Sequence, residues 1–256
     1  MTSTEAKHQI QKLSKELEQH NYKYYVLDNP DISDFEFDKL LESLISLEKQ
    51  FPEHVSSNSP SQRVGGQITK AFNSVKHQYA MLSLSNSYSV DDMIDFDRKV
   101  KEGLGMTSNR LFDELIEYVC ELKFDGLSIS LIYENGKLIQ AITRGDGVQG
   151  DEVTTNAKTI KSIPLQLHGK YPERFEIRGE VFMPRPVFNA INKEREEIGE
   201  AIMANPRNAA SGTMKMQDSA QVAKRKLDCF LYNVLGENLT YSSHFESMQA
   251  AKSWGF

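Results

Sequence analysis

Residues 127–143 read LSISLIYENGKLIQAIT, two alternating runs joined by Asn135-Gly136. An Asn-Gly pair tolerates positive φ at both central positions of a type I′ turn, whose twist suits paired strands. The stretch predicts an antiparallel hairpin, so sheet frames this part of the chain. RFEIRGEVFM and LDCFLYNV add two strands, and YVCELKF, just ahead of the hairpin, alternates in the same way. Helices are predicted from about Val90 (capped by Ser89, with Met93, Ile94 and Val100 turned inward), from about Pro186 to Gly199, and from about Ser243 to Trp254. Strands and helices mix without βαβ alternation, which indicates an α+β fold on antiparallel sheet.

The first section is different. Ile10, Leu13 and Leu17 form one helical stripe, and Leu40, Leu41, Leu44, Ile45 and Leu47 form a second. Ser33 is the expected N-cap of the second helix, with Glu36 at the capping-box position. Residues 52–80 carry the Pro, Ser and Gly punctuation of irregular chain. The domain boundary is placed near residue 70: a helical module over 1–70 and a sheet-based domain over 71–256.

At 256 residues, 39% hydrophobic and 26% charged, the composition is that of a globular protein. No apolar run approaches the ~20 residues that cross a bilayer, and the polar N-terminus has no signal-peptide core. The expectation is a cytoplasmic, monomeric protein with no membrane partner. Cys120 and Cys229 read as small buried hydrophobes rather than a disulfide or metal pair. Net charge is -6, against a DNA-coating role, yet residues 201–256 hold 6 basic against 4 acidic side chains.

The stretch ELKFDG, residues 121–126, raises the functional question. As a strand it puts Glu121, Lys123 and Asp125 on one face and Leu122 and Phe124 on the other. Ser128 and Ser130 would supply small polar neighbours, with Leu127, Ile129 and Leu131 in the core. An arbitrary E-x-K-x-D is most often a solvated face. Three other stretches add chemistry: Arg144 in the glycine-rich turn TRGDG, Glu180 beside a glycine in IRGEVF, and Arg207 and Lys215 in NPRNAASGTMK. Together they offer an amine, carboxylates for a sugar hydroxyl or base amine, and guanidinium groups for phosphate. That set suits a nucleotide handled by a lysine. A lysine becomes a nucleophile only as the free amine, and flanking carboxylates oppose this, so a further cation is needed. Magnesium carried on substrate phosphates, with Arg144, would serve.

The string CELKFDGLSISLIYENGKLIQAITRGDGVQGDEVTTNAKTIKSIPLQL resembles the bacterial NAD-dependent DNA ligases, and ELKFDG resembles the K-x-D-G motif of covalent DNA ligases and RNA-capping enzymes. SPSQRVGG, MLSLSN, IRGEVFMP, NPRNAASGTM and AKRKLDCFLYNV resemble the same family in the same order, from about Lys12 onward. The resemblance implies an ATP-grasp-like nucleotidyltransferase domain after a small helical module. It implies that Lys123 attacks the α-phosphorus of NAD, expels nicotinamide mononucleotide and becomes lysyl-AMP. AMP would pass to the 5′-phosphate at a nick in duplex DNA, and the 3′-hydroxyl would displace it. By position, Glu121, Ser83 and Leu84 would contact the adenine region, Arg144 the ribose or phosphates, and Glu180 a ribose hydroxyl. Asp125 would support the site and a metal-bound arrangement, while Arg207 and Lys215 would face phosphates. The cofactors implied are NAD and Mg2+, with Mn2+ as its substitute.

The N-terminal section resembles the module that clamps the nicotinamide mononucleotide half. Tyr24, Tyr25, Asp34, Phe37 and Asp38 match its motif, with Phe35 and Glu36 inside the same string. Aromatic faces stack a pyridinium ring and carboxylates balance its charge, which agrees with such a role. Packing of the two helices is the alternative use of each tyrosine. Phe37 stands where the family usually has tyrosine, and Lys215 where arginine is common. The family's D-G-V-V-I-K strand, further lysine-bearing strand, OB-fold, four-cysteine zinc site and helix-hairpin-helix tail are not in the sequence. The nucleotidyltransferase domain is therefore expected to be incomplete at its C-terminus, with zinc confined to the segments not present. Two other functions remain open: a non-catalytic NAD- or AMP-binding fragment, and an ATP-dependent nucleotidyltransferase of the same superfamily.

Overall fold

A computed structural model of the chain describes residues 1–25, 31–64, 71–106 and 116–256, apart from the side chains of Tyr24, Tyr25, Asp34 and Val64. In chain order the elements are α1 (Ser3–Tyr25), α2 (Asp34–Gln50), β1 (Ser74–Lys76), α3 (Val90–Gly103), β2 (Leu127–Glu134), β3 (Lys137–Thr143), β4 (Gln149–Asp151) and α4 (Thr154–Ala157). There follow β5 (Arg174–Phe182), α5 (Arg185–Glu197), α6 (Pro206–Met214), α7 (Ser219–Lys224), β6 (Asp228–Leu235) and α8 (His244–Trp254).

The helical pair forms its own core. Ile10, Leu13 and Leu17 of α1 pack on Leu44 of α2, with Phe37, Leu40, Leu41 and Leu47 at the edges. Ser33 caps α2 as expected. Its side chain accepts from the Glu36 backbone, and the Glu36 carboxylate accepts from Ser33 N (2.9 Å) and Oγ (2.8 Å). Those bonds hold the Glu36 carboxyl below its usual range.

The larger sheet is antiparallel, in the order β3-β2-β5-β6, and β1 pairs with β4 in a separate ribbon. The β2–β3 turn has φ of 50° at Asn135 and 74° at Gly136, as the Asn-Gly pair requires. β2 and β5 pair with Ser128 opposite Glu180, Ser130 opposite Arg178 and Ile132 opposite Glu176. Alternation then divides the sheet into two faces. On one, Ile129, Leu131, Tyr133, Phe175, Ile177 and Val181 bury against α6, α7, α8 and the 160–167 segment. The other carries the serines and charges.

That polar face is also buried, and Arg178 on it is paired with Glu176. Arg178 Nε donates to Glu176 Oε1 at 2.6 Å, and its two terminal nitrogens donate to the carbonyls of Ala80 (3.0 Å) and Tyr79 (2.5 Å). A buried guanidinium is tolerable when its donors are met in this way. The contact pins residues 79–80 across the sheet.

α3 has the expected Ser89 cap, closed into a box by Asp92. Its apolar side does not turn inward: Met93 is 54% and Ile94 62% exposed. Leu82, Leu84, Val119 and Leu122 are also exposed. Apolar spacing predicts a covered face, but among the described residues nothing covers this one.

The helical pair docks on the sheet domain through Arg63, whose terminal nitrogens donate to the carbonyls of Ile160 and Ile163, both at 2.8 Å. Tyr22 meets His168 edge-on at 5.2 Å. Glu18 of α1 lies half-buried in this seam. Burial pushes its carboxyl from 4.5 up to about 7, with Arg63 and Lys137 opposing. An acid whose pKa rises on folding favours the fold while protonated, and that contribution is lost as pH climbs through the folded value. Stability should therefore fall as pH rises from about 4.5 through about 7. Glu18→Gln should flatten that fall and gain most, relative to wild type, at pH ~8. Urea midpoints across this range check it; parallel curves for the two proteins would count against the assignment.

Candidate active site

The segment bearing Lys123 is not a strand. Residues 116–125 run as irregular chain, and pairing of β2 begins only at Leu127 opposite Val181. The expected strand over YVCELKF fails for want of a partner. β5 ends at Phe182, and the chain leaves the sheet at Pro184 for α5. Glu121, Leu122, Lys123 and Asp125 are all exposed, so the predicted two-faced alternation is absent. Cys120 is exposed too, against expectation, whereas Cys229 is buried and its thiol is raised by that burial.

Side chains from four elements hold this segment. Tyr118 Oη donates to Asp97 of α3 at 2.8 Å. Phe124 stacks on Phe230 of β6 at 4.1 Å, and Phe230 in turn on Phe182 at 4.6 Å. Arg207 of α6 pairs with Asp125 at 3.0 Å. His244 of α8 lies 3.0 Å from Glu121. Both carboxylates flanking Lys123 are thus engaged elsewhere, and Lys123 has no hydrogen-bond or ion-pair partner among the described residues.

Gly126 follows, and here the lack of a Cβ is required. One built at this position would lie 2.1 Å from the carbonyl oxygen of Val181. Next along, Ser128 Oγ donates to Glu180 Oε2 at 2.7 Å. The backbone N–H of Arg144 donates to the Ser128 carbonyl at 3.1 Å, and the Arg144 carbonyl lies 3.1 Å from His77 Nε2. Positive φ at Gly145 (58°) and Gly147 (94°) folds the turn that carries Arg144. Glu121, Lys123, Asp125, Arg144, Glu180 and Arg207 therefore gather at one end of the sheet. Ser83 and Leu84 lie exposed in irregular chain just beyond the carbonyls that Arg178 pins.

Other expected site residues are placed elsewhere. Lys215 pairs with Asp151 of β4 at 2.8 Å. Phe35 is 70% exposed, with the Lys39 ammonium 5.6 Å from its ring centre. Glu36 is committed to the α2 cap. Phe37 and Asp38 line a cavity of about 560 Å³ with His20, Lys161, Pro184 and Asp228, and Lys123 is not among its lining residues. The side chains of Tyr24, Tyr25 and Asp34 lie outside the described residues.

Sequence reasoning missed His244, Phe230 and Tyr232. Tyr232 sits where the β5–β6 register shifts between Arg178 and Gly179, and bulges of this kind re-aim a side chain. Burial raises its phenol, as does the nearby Glu180 charge, while a hydrogen bond with Ser128 opposes. His244 opens α8 in a stretch with no chemical motif, so it gave no signal.

The family description "NAD-dependent DNA ligase adenylation domain" matches residues 69–256, and "DNA ligase-like, N-terminal NAD+-binding domain" matches residues 3–65. The chain belongs to the NAD-dependent DNA ligase family. It is 55% identical over 247 residues to a DNA ligase of Flavobacterium psychrophilum, covering 96% of this chain and 36% of that protein. A DNA ligase of Phocaeicola vulgatus is 57% identical over 248 residues, with the same shares. One from Cytophaga hutchinsonii is 54% identical over 257 residues, covering 100% of this chain and 37% of that protein. The chain thus spans little more than a third of the ligases it matches. It corresponds to their NAD-binding and adenylation part. Among the described residues no helix is long and apolar enough to cross a membrane.

Gly126→Ala should lower stability by about 1–3 kcal/mol, since the added methyl meets backbone that cannot step aside. Chemical denaturation measures it; an unchanged midpoint would show that the Gly126–Val181 approach is not close in solution.

Proposed function

We propose that this chain binds NAD and transfers AMP onto Lys123, as the first step of nick sealing by an NAD-dependent DNA ligase. The observation that carries this reading is Lys123 itself, exposed and unpartnered among the described residues three positions ahead of the Gly126 that packs on β5, while both neighbouring carboxylates are held by other elements. In the proposed step the Nζ lone pair attacks the α-phosphorus and a P–N bond forms. The P–O bond to nicotinamide mononucleotide breaks, its electron pair leaving with that group, and the amine proton passes to solvent. AMP then moves to a 5′-phosphate at a nick, and the 3′-hydroxyl displaces it.

In this reading residues 71–256 are the nucleotidyltransferase domain. Glu121, Ser83 and Leu84 take the adenine end, Arg144 the ribose or phosphates, and Glu180 a ribose hydroxyl, with Ser128 fixing one Glu180 oxygen. Asp125 keeps the segment in place through Arg207. Arg207 and Lys215 are each in an ion pair with a carboxylate, and each keeps further N–H donors that a phosphate would accept from. Residues 1–70 are the module for the nicotinamide half, where Phe37 supplies an apolar face and Asp38 a carboxylate. No group of three or more His, Cys, Asp or Glu among the described residues forms a metal cage. Magnesium, or manganese in its place, would arrive on the phosphates and neutralise their charge in the attack.

Affinity for duplex DNA comes mostly from many phosphate contacts. The chain has net charge -6, and its candidate phosphate ligands are few: Arg207, Lys215 and the Lys224-Arg225-Lys226 run. Weak, salt-sensitive binding follows, and the rest of the grip belongs to the longer protein.

Incubation with NAD and magnesium should add one AMP, mapped to Lys123 by mass spectrometry, and Lys123→Ala should abolish it. An adduct on another lysine would overturn the assignment, and no adduct would favour the binding-only reading. Asp38→Ala should slow the NAD reaction by about tenfold or more, by loss of the pyridinium's counter-charge. ATP serving as well as NAD would dismiss the role given to residues 1–70.

A further inference from the structure

The segment that carries Glu121 and Lys123 has no backbone ladder, so side chains set where those two groups lie. Tyr118, Phe124 and Asp125 fix its course. The contact that reaches Glu121 comes from His244, whose Nε2 lies 3.0 Å from Glu121 Oε1. An ionised carboxylate only accepts, so in this contact Nε2 carries the proton.

His244 is a fixed point. It opens α8, which is capped by Ser243 accepting from the Glu246 backbone. The Glu246 carboxylate closes back on Ser242 N (2.9 Å) and Oγ (2.8 Å), and Ser247 Oγ donates to the His244 carbonyl at 2.7 Å. The other end of the helix is sunk in the core. Ala251 and Trp254 are each 1% exposed, and Trp254 Nε1 donates to the Lys170 carbonyl at 2.8 Å. A helix held at both ends presents the imidazole at a set place. Glu121, by contrast, stands on irregular chain with its side chain 55% exposed.

We propose that His244 is a positioning residue for base recognition: it holds one oxygen of Glu121 and so directs the other to accept from the amino group of the nucleotide's purine. This rests on the reading above, in which Glu121 meets the adenine end. A carboxylate oriented in this way favours a 6-amino purine, which donates, over a 6-oxo purine, whose oxygen faces the carboxylate and is repelled. Freed from His244, the carboxylate turns through several rotamers and discriminates less.

The experiment titrates the full chain with NAD and with its hypoxanthine analogue by calorimetry, for wild type, His244→Leu, His244→Gln and Glu121→Gln. Wild type should prefer NAD. His244→Leu should cut that preference about fivefold, the effect of losing one charge-assisted hydrogen bond on a partly exposed group. His244→Gln, which keeps a donor, should restore most of it. In the Glu121→Gln background, His244→Leu should change the preference no further, because His244 acts through Glu121. Thermal melting separates this from a structural role, which would move stability and both affinities together without altering their ratio. An unchanged ratio in His244→Leu, or a glutamine variant no better than the leucine one, would overturn the inference alone. A wild type that binds neither dinucleotide would overturn the underlying reading and this one with it.

Discussion

The register between β2 and β5 is the constraint on which the rest depends. Setting Ser128 opposite Glu180 commits every residue of both strands to a face. Ile129, Leu131, Ile177 and Val181 go to the core. Glu176, Arg178 and Glu180 go to the opposite side, where Arg178 is satisfied by Glu176 and two carbonyls. A slip of one residue would drive those charges into the apolar layer and strand the guanidinium without acceptors, a cost of several kcal/mol. The same register places Ser128 Oγ on Glu180 and aligns the Ser128 carbonyl with Arg144. Gly126 then lets the incoming chain pass against Val181. The geometry of the candidate site is in this sense a by-product of how the sheet must pair.

What could be read from the sequence follows a physical line. Features that depend on near neighbours were legible: the Asn135-Gly136 turn, the caps at Ser33 and Ser89, the stripes of α1 and α2, and the alternation of β2 and β5. Features that depend on a distant partner were not. YVCELKF alternates as well as any strand here, but alternation states a preference and pairing must realise it; with β5 turning away at Pro184 there is no backbone to bond. Met93 and Ile94 carry the spacing of a buried face for the same reason, and that face is bare among the described residues. For the candidate site, the identities of Lys123, Arg144 and Glu180 were visible in short motifs. The hold of His244 on Glu121 spans 123 positions in sequence, and nothing local announces it.

The two modules raise a question of reach. Phe37 and Asp38 open into the cavity shared with Lys161 and Asp228, while Lys123 lies outside that lining. The lining includes no residue of the 116–126 segment. The seam between the helical pair and the sheet domain is made of a few mostly polar contacts. Arg63 donates to the carbonyls of Ile160 and Ile163, Tyr22 meets His168 edge-on, and burial of Glu18 raises its carboxyl. Polar interfaces between domains permit relative movement by default.

A segment held by side chains differs from one held in a ladder. A ladder fixes each residue through its neighbours, so one substitution seldom moves the backbone. Here Asp97, Phe230, Arg207 and His244 each reach the segment once, from four different elements. Loss of any one contact frees its own stretch without releasing the others. Lys123 lies between Glu121, held by α8, and Phe124, held by β6, so its position is the compromise of those two anchors. The placement of Lys123 therefore depends on β6 and α8 as much as on its own sequence, and the K-x-D-G string alone does not build the candidate site.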